Sequence, residues 1–231
     1  MIPYRLDLAG GWLDQPFMSG LYPGSVITIS LEPIMEYEEC CGMATSTRKS
    51  ILDLWGELPN MNPLQLSKIV FSYDNKPGTQ YVSGAQDSIG ICVPGLTKHH
   101  YDGQYWPQTI EICQDDTVLD WLEKHVFIQL TQPRPRGLDL LKISNISYDN
   151  VMLLAEAADK CWAAILKKNL QEFADAVTLS FEIQKMIFPI MNIKLPEINC
   201  MGYKLAGAGG GGYLVMINDN PCGDIIKIRR K

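Results

Sequence analysis

Between residues 4 and 9 apolar side chains alternate with Arg5 and Asp7, and the run then meets Gly10-Gly11. This predicts a strand closed by a glycine turn. Residues 26–31 are rich in β-branched side chains and predict a second strand, limited by Pro33. The small residues 40–47 predict a loop, and 48–55 a helix with Ile51, Leu52 and Trp55 on one face. Asn62-Pro63 opens another helix, a capping side chain followed by proline in the first turn, and this helix carries Leu64, Leu66 and Ile69. Polar and small residues at 83–88 give way to an apolar stretch at 89–93.

Farther along, 116–123 predict a short helix and 126–130 a strand, ended by Pro133 and Pro135. Two long stripes follow at helical spacing. Ser147 caps the first, whose apolar positions are Val151, Leu154, Ala155, Ala158, Trp162 and Ile165. Asn169 caps the second, with Leu170, Phe173, Val177, Phe181, Ile183 and Ile187, and Pro189 stops it. The short link between them predicts an antiparallel pair, and both stripes read as core. Residues 203–206 lead into a glycine run, and 213–217 leave it as a strand. Strands early and late, with helices between, give an α+β fold class.

The 231 residues are 46% hydrophobic and 20% charged, which suits one large domain or two small ones and excludes a disordered chain. A net charge of -6 without a long basic run argues against a nucleic-acid binder. The basic residues 227–231 read as a solvated chain end. No apolar run approaches the about 20 residues needed to span a bilayer, and no leader pattern is evident. Seven cysteines without paired metal-binding spacing read as reduced thiols, so the expected setting is cytoplasmic, with no membrane partner.

Three loops of small residues and a few charged groups carry the candidate chemistry. Gly42-Met43-Ala44-Thr45-Ser46-Thr47 before a helix suits an anion, because unsatisfied backbone amides and the helix dipole meet there. Plain capping by Thr and Ser explains the same residues. Five glycines among the six residues 207–212 cost chain entropy, which points to a close backbone approach; a purely structural turn is the alternative. No Lys-Ser/Thr follows, so this is not a nucleotide loop of the GxxxxGKT kind. Asp87, among small residues, could serve as a general base toward a hydroxyl, or simply be a cap. Arg5 and Asp14 flank Gly10-Gly11, where a surface ion pair would also account for them.

Taken together, these segments resemble the GHMP kinases, a family that includes galactokinase, mevalonate kinase and heptose-phosphate kinase. Residues 3–14, Pro-Tyr-Arg-Leu-Asp-Leu-Ala-Gly-Gly-Trp-Leu-Asp, look like the first motif of the family in its Gly-Gly-Trp form. Residues 42–47 look like a degenerate phosphate loop, residues 84–90 resemble the Gly-x-Gln-Asp segment, and residues 204–212 match the third motif. The stretch between the first two motifs is some tens of residues shorter than the family's. The resemblance implies an S5-like N-terminal domain over residues 1–110 and a ferredoxin-like C-terminal domain over 111–231, with the site between them. It implies ATP-dependent phosphorylation of a hydroxyl on a sugar or sugar phosphate, with Mg2+. In those roles Asp87 would be base or orienting carboxylate and Arg5 would stabilise the transferring phosphoryl group. Asp14, Gly10, Gly11, Gly207 and Ala208 would meet the acceptor. Gly42, Thr45, Ser46, Thr47, Gly209 and Gly210 would cradle phosphates, with Ser46 touching the metal. A non-catalytic sugar or nucleotide binder descended from such a kinase is the alternative, and a homodimer supplying a strand in trans is a further expectation.

Overall fold

The computed structural model describes residues 1–79, 81–132, 134–135 and 141–231. Pro133, one of the two predicted strand-ending prolines, lies outside the described residues. The chain runs β1 (Tyr4–Ala9), α1 (Pro16–Ser19), β2 (Gly24–Leu31), α2 (Thr45–Trp55), α3 (Pro63–Asp74), α4 (Gln86–Cys92), β3 (Leu96–Tyr101), β4 (Thr109–Cys113), α5 (Asp116–His125), β5 (Val126–Leu130), α6 (Tyr148–Lys167), α7 (Leu170–Ile187), β6 (Gly202–Leu205), β7 (Tyr213–Ile217) and β8 (Asp224–Ile225).

Two antiparallel four-stranded sheets result, ordered β1-β2-β3-β4 and β6-β7-β5-β8. All of β1 and β2 is buried, because α4 packs on them along with α6 and α7. A strand covered on both faces loses the simple in-out alternation, so Arg5, Asp7, Thr28 and Ser30 are buried along with their apolar neighbours. Such charges need partners, and those partners form the site described below. The second sheet packs on α7 through β6, and α5 precedes β5 directly.

The caps read from the sequence are made. Asn62 accepts from the amides of Leu64 and Gln65, Ser147 from Asn150 and Asn169 from Glu172. The two residues between α6 and α7 leave the helices packed along their length, with Val151, Leu154, Phe173 and Phe181 fully buried between the sheets. One continuous apolar cluster joins β1 and β2 to β5, α6, α7 and β7, so both ends of the chain contribute to a shared core.

Three expectations need correction. The helix predicted over 48–55 begins three residues earlier, at Thr45, and of its predicted apolar face only Ile51 is buried, while Leu52 is 52% exposed. Ile69 of α3 is likewise exposed, and Val70 turns inward instead. The basic chain end is only partly solvated: Lys227 and Lys231 are exposed, while Ile228 and Arg229 are buried. Residues 227–229 run along the end of β2: Glu32 N–H donates to Lys227 O, Arg229 N–H to Ser30 O, and Gly95 N–H to Arg229 O. Arg229 is buried with Nη2 donating to Cys92 O at 2.5 Å, and Arg230 pairs with Asp116, Asp120 and Glu123. All seven cysteines are free thiols.

Candidate active site

The first motif places two charges on one face of a buried strand, since residues two apart in a strand point the same way. Arg5 Nη1 donates to Asp7 Oδ1 at 3.1 Å, and Arg5 Nη2 forms an ion pair with Asp87. Asp7 has further partners: Lys204 Nζ donates to its Oδ2 at 2.5 Å, and the Gly207 amide to its Oδ1 at 2.5 Å. Lys204 also donates to the carbonyls of Asp7 and Leu205. A line of alternating charge, Lys204–Asp7–Arg5–Asp87, therefore runs from β6 through β1 to the first turn of α4. Burial disfavours the Arg5 charge, but the carboxylates of Asp87 and Asp7 outweigh this and push its pKa above the ordinary value. Burial pulls the Lys204 ammonium downward, against Asp7.

Small residues make room for these groups. A Cβ on Gly90 would collide with the Arg5 stem, so Arg5 can cross α4 only at a glycine. A Cβ on Gly84 would overlap the Asp14 carboxylate. Asp14 is buried, and its carboxyl is raised to about 7, first by burial and then by the nearby Asp87 carboxylate, against a hydrogen bond from Gln86 and the pull of Arg5. Trp12 holds a left-handed backbone (φ 80°), unusual for a bulky side chain and a kind of strain that clusters at ligand sites. Its ring rests on Phe188 at 4.6 Å, and its indole N–H is buried without a partner.

Arg5, Trp12, Asp14, Gly84, Gln86 and Asp87 line a cleft of about 240 Å3 with Gln15, Gly42, Thr45, Ser46, Arg134, Gly207 and Ala208. The 42–47 loop enters α2 through Ala44 in the left-handed region, and no side chain caps the helix. Thr45, Ser46 and Thr47 thus form the first helical turn and are not caps, and Thr45 and Ser46 of that turn line the cleft. Ser46 is exposed, whereas Thr47 is buried and its hydroxyl donates to Asp74 at 2.8 Å.

The predicted residues Arg5, Asp14, Asp87, Gly42, Thr45, Ser46, Gly207 and Ala208 thus meet at one cleft. Gly10, Gly11, Thr47, Gly209 and Gly210 do not line it. The Gly10 amide donates to Ser180 Oγ, and Gln184 Nε2 donates to Gly11 O, so both glycines seat the strand end on α7. The glycine run has positive φ at all five glycines. Its tail is shaped by protein backbone: a Cβ on Gly211 would lie 2.7 Å from Gln132 O, and a Cβ on Gly212 would strike Cys41 O. Sequence reasoning missed roles for Asp7, Lys204, Trp12, Gln86 and Arg134. For the first two a signal existed, namely full charges inside runs otherwise apolar.

The two antiparallel sheets and their helices have the fold of the GHMP kinases. Among solved structures, the chain is similar to the galactokinase of Lactococcus lactis complexed with galactose, with a TM-score of 0.64 and 13% identity over 94% of this chain and 84% of that one. It is similar to a D-glycero-D-manno-heptose 1-phosphate kinase from Bacteriodes thetaiotaomicron, with a TM-score of 0.60 and 13% identity over 99% and 94%. It is similar also to the phosphomevalonate kinase of Streptococcus pneumoniae, with a TM-score of 0.65 and 12% identity over 95% and 90%. No family model matches the chain, and no curated protein matches it in sequence.

Proposed function

We propose that the cleft transfers the terminal phosphoryl group of ATP to a hydroxyl of a sugar or sugar phosphate. The observation that carries this reading is the Arg5–Asp87 ion pair at a cleft that also receives the uncapped first turn of α2. The acceptor oxygen attacks the terminal phosphorus, its bond to the ADP oxygen breaks, and the hydroxyl proton passes to Asp87. Arg5 offsets the charge that develops on the transferring group, and the α2 amides hold the donor phosphates. Asp14, Trp12 and Gln86 present a carboxyl, an unpartnered indole N–H and an unpartnered amide oxygen, which suits an acceptor with several hydroxyls. Among the described residues, no group of three acidic, histidine or cysteine side chains is placed to hold a metal ion by itself. Mg2+ would be held by the free Ser46 hydroxyl together with donor phosphates, where it neutralises phosphate charge.

The test is ATP turnover with a panel of sugars and sugar phosphates, in the wild type and in Asp87→Asn. A fall of about 100-fold or more in kcat supports Asp87 as the base; unchanged turnover overturns that role. A second reading, a sugar binder without kinase activity, is favoured by the cleft volume. About 240 Å3 is below the roughly 300–1,000 Å3 usual for drug-sized ligands, and only residues 32–44 separate β2 from α2. Calorimetry showing sugar binding, with no ATP binding at millimolar nucleotide, would select it. In either reading, β4 is the exposed outer strand through which two copies would pair edge to edge in a homodimer.

A further inference from the structure

The position of Arg5 is overdetermined from the side away from the cleft. Asp7, Lys204 and Arg5 are 0%, 0% and 3% exposed, so their charges are met chiefly by protein groups. Arg5 has two carboxylates to choose between, Asp7 at its back and Asp87 at the cleft. Asp7 in turn has two cations, and its Oδ2 is taken by Lys204. A buried carboxylate that lost Lys204 would leave one oxygen unpaired, which is costly at full burial, and the remaining cation within reach is Arg5.

From this geometry we infer that Lys204 and Asp7 are positioning residues that set how Arg5 divides itself between Asp7 and Asp87. Lys204 satisfies the outer oxygen of Asp7, and Arg5 therefore extends to Asp87. Without Lys204, Arg5 contracts onto Asp7 and leaves Asp87 without its ion partner. Without the Asp7 charge, Arg5 belongs wholly to Asp87. The two changes thus move the Arg5–Asp87 contact in opposite directions, which a merely structural salt bridge does not predict. The inference rests on the kinase reading only where it is read through activity.

The other groups facing this line are fixed in the comparison. Asp14 and Tyr101 face both Arg5 and Asp87, His99 faces Arg5, and Asp74 faces Asp87. Burial, reinforced by Arg5, lowers His99 to about 3, so it stays neutral through the working range.

The experiment compares Lys204→Met, Asp7→Asn and the charge-neutral double variant Asp7→Asn/Lys204→Met, which keeps the proposal testable if either single variant fails to fold. In the pH profile of kcat, Lys204→Met is expected to move the acid limb to higher pH by about one unit. Its kcat should fall about 10-fold or more with KM for ATP nearly unchanged. Asp7→Asn and the double variant are expected to keep the acid limb at or below its wild-type position. Crystal structures of Lys204→Met and the double variant read the same switch without turnover: Arg5 leaves Asp87 in the first and stays on it in the second. An acid limb that stays put in every variant, or an unchanged Arg5–Asp87 pair in Lys204→Met, overturns the inference. Loss of turnover in the wild type with all acceptors would sink the kinase reading alone, since the crystal structures still decide the position of Arg5.

Discussion

Gly207 and Gly42 touch backbone to backbone: a Cβ on Gly207 would stand 2.7 Å from the Cα of Gly42, and a Cβ on Gly42 would strike Ala206 O. The third motif and the phosphate loop are thus packed as one surface, and both glycines are left-handed, at φ 63° and 85°. Gly207→Ala is expected to cost about 1–3 kcal/mol from its backbone alone, with the clash added. Thermal unfolding should show a Tm lowered by about 2–4 °C for each kcal/mol. An unshifted Tm would mean that the two loops are not in contact.

Asp14 gives a pH signature. Its carboxyl is raised from 3.8 to about 7 in the fold, so the stability it contributes is complete below 3.8 and is lost as the pH rises through about 7. Asp14→Asn removes the ionisation. The variant is expected to gain on the wild type between about pH 5 and about pH 8.5, by the order of 2 kcal/mol. Melts at the two pH values check this, and parallel behaviour of the two proteins would contradict the burial of an ionised Asp14.

Ala44 holds φ 55° at the entry to α2. A left-handed alanine costs about 1–2 kcal/mol that glycine avoids. Ala44→Gly is therefore expected to stabilise the protein by about 0.5–1 kcal/mol, against the usual effect of adding a glycine. Chemical denaturation measures it, and a destabilised variant would place Ala44 in another conformation.

Ser46 is exposed at the cleft, while the hydroxyl of Thr47 is committed to Asp74. On the kinase reading, Ser46→Ala should raise the Mg2+ concentration needed for half-maximal rate by about 10-fold, and Thr47→Ser should leave it unchanged. Equal responses from the two positions would show that Ser46 has no particular part in metal binding.

Much of the fold was legible because its cues are local. Caps at Asn62, Ser147 and Asn169 and the stripes of α6 and α7 depend on neighbours within a turn or two, and the structure reproduces them. The strand over 126–130 was legible for the same reason. What the sequence hid depends on distant partners. α4 is only seven residues long, and its start looked like a polar loop because Gln86 and Asp87 face a cleft made by β1 and the turn after it. β3 carries Lys98, His99 and His100, polar positions that mask a strand until its pairing with β2 is known. In the site, the motif residues were visible by type, but Gly10 and Gly11 turn out to seat a strand on α7. No local pattern separates a glycine that admits a ligand from one that admits a helix.

The bond between the Gly207 amide and Asp7 joins residues 200 positions apart, and Lys204 reaches back almost as far. Contacts of such sequence separation close late, since loop-closure entropy comes before any reward. During synthesis, then, Asp7 emerges 197 and 200 residues ahead of the lysine and the glycine amide that complete its pairing. A nascent chain stalled near residue 200 would hold most of the apolar core yet no finished cleft.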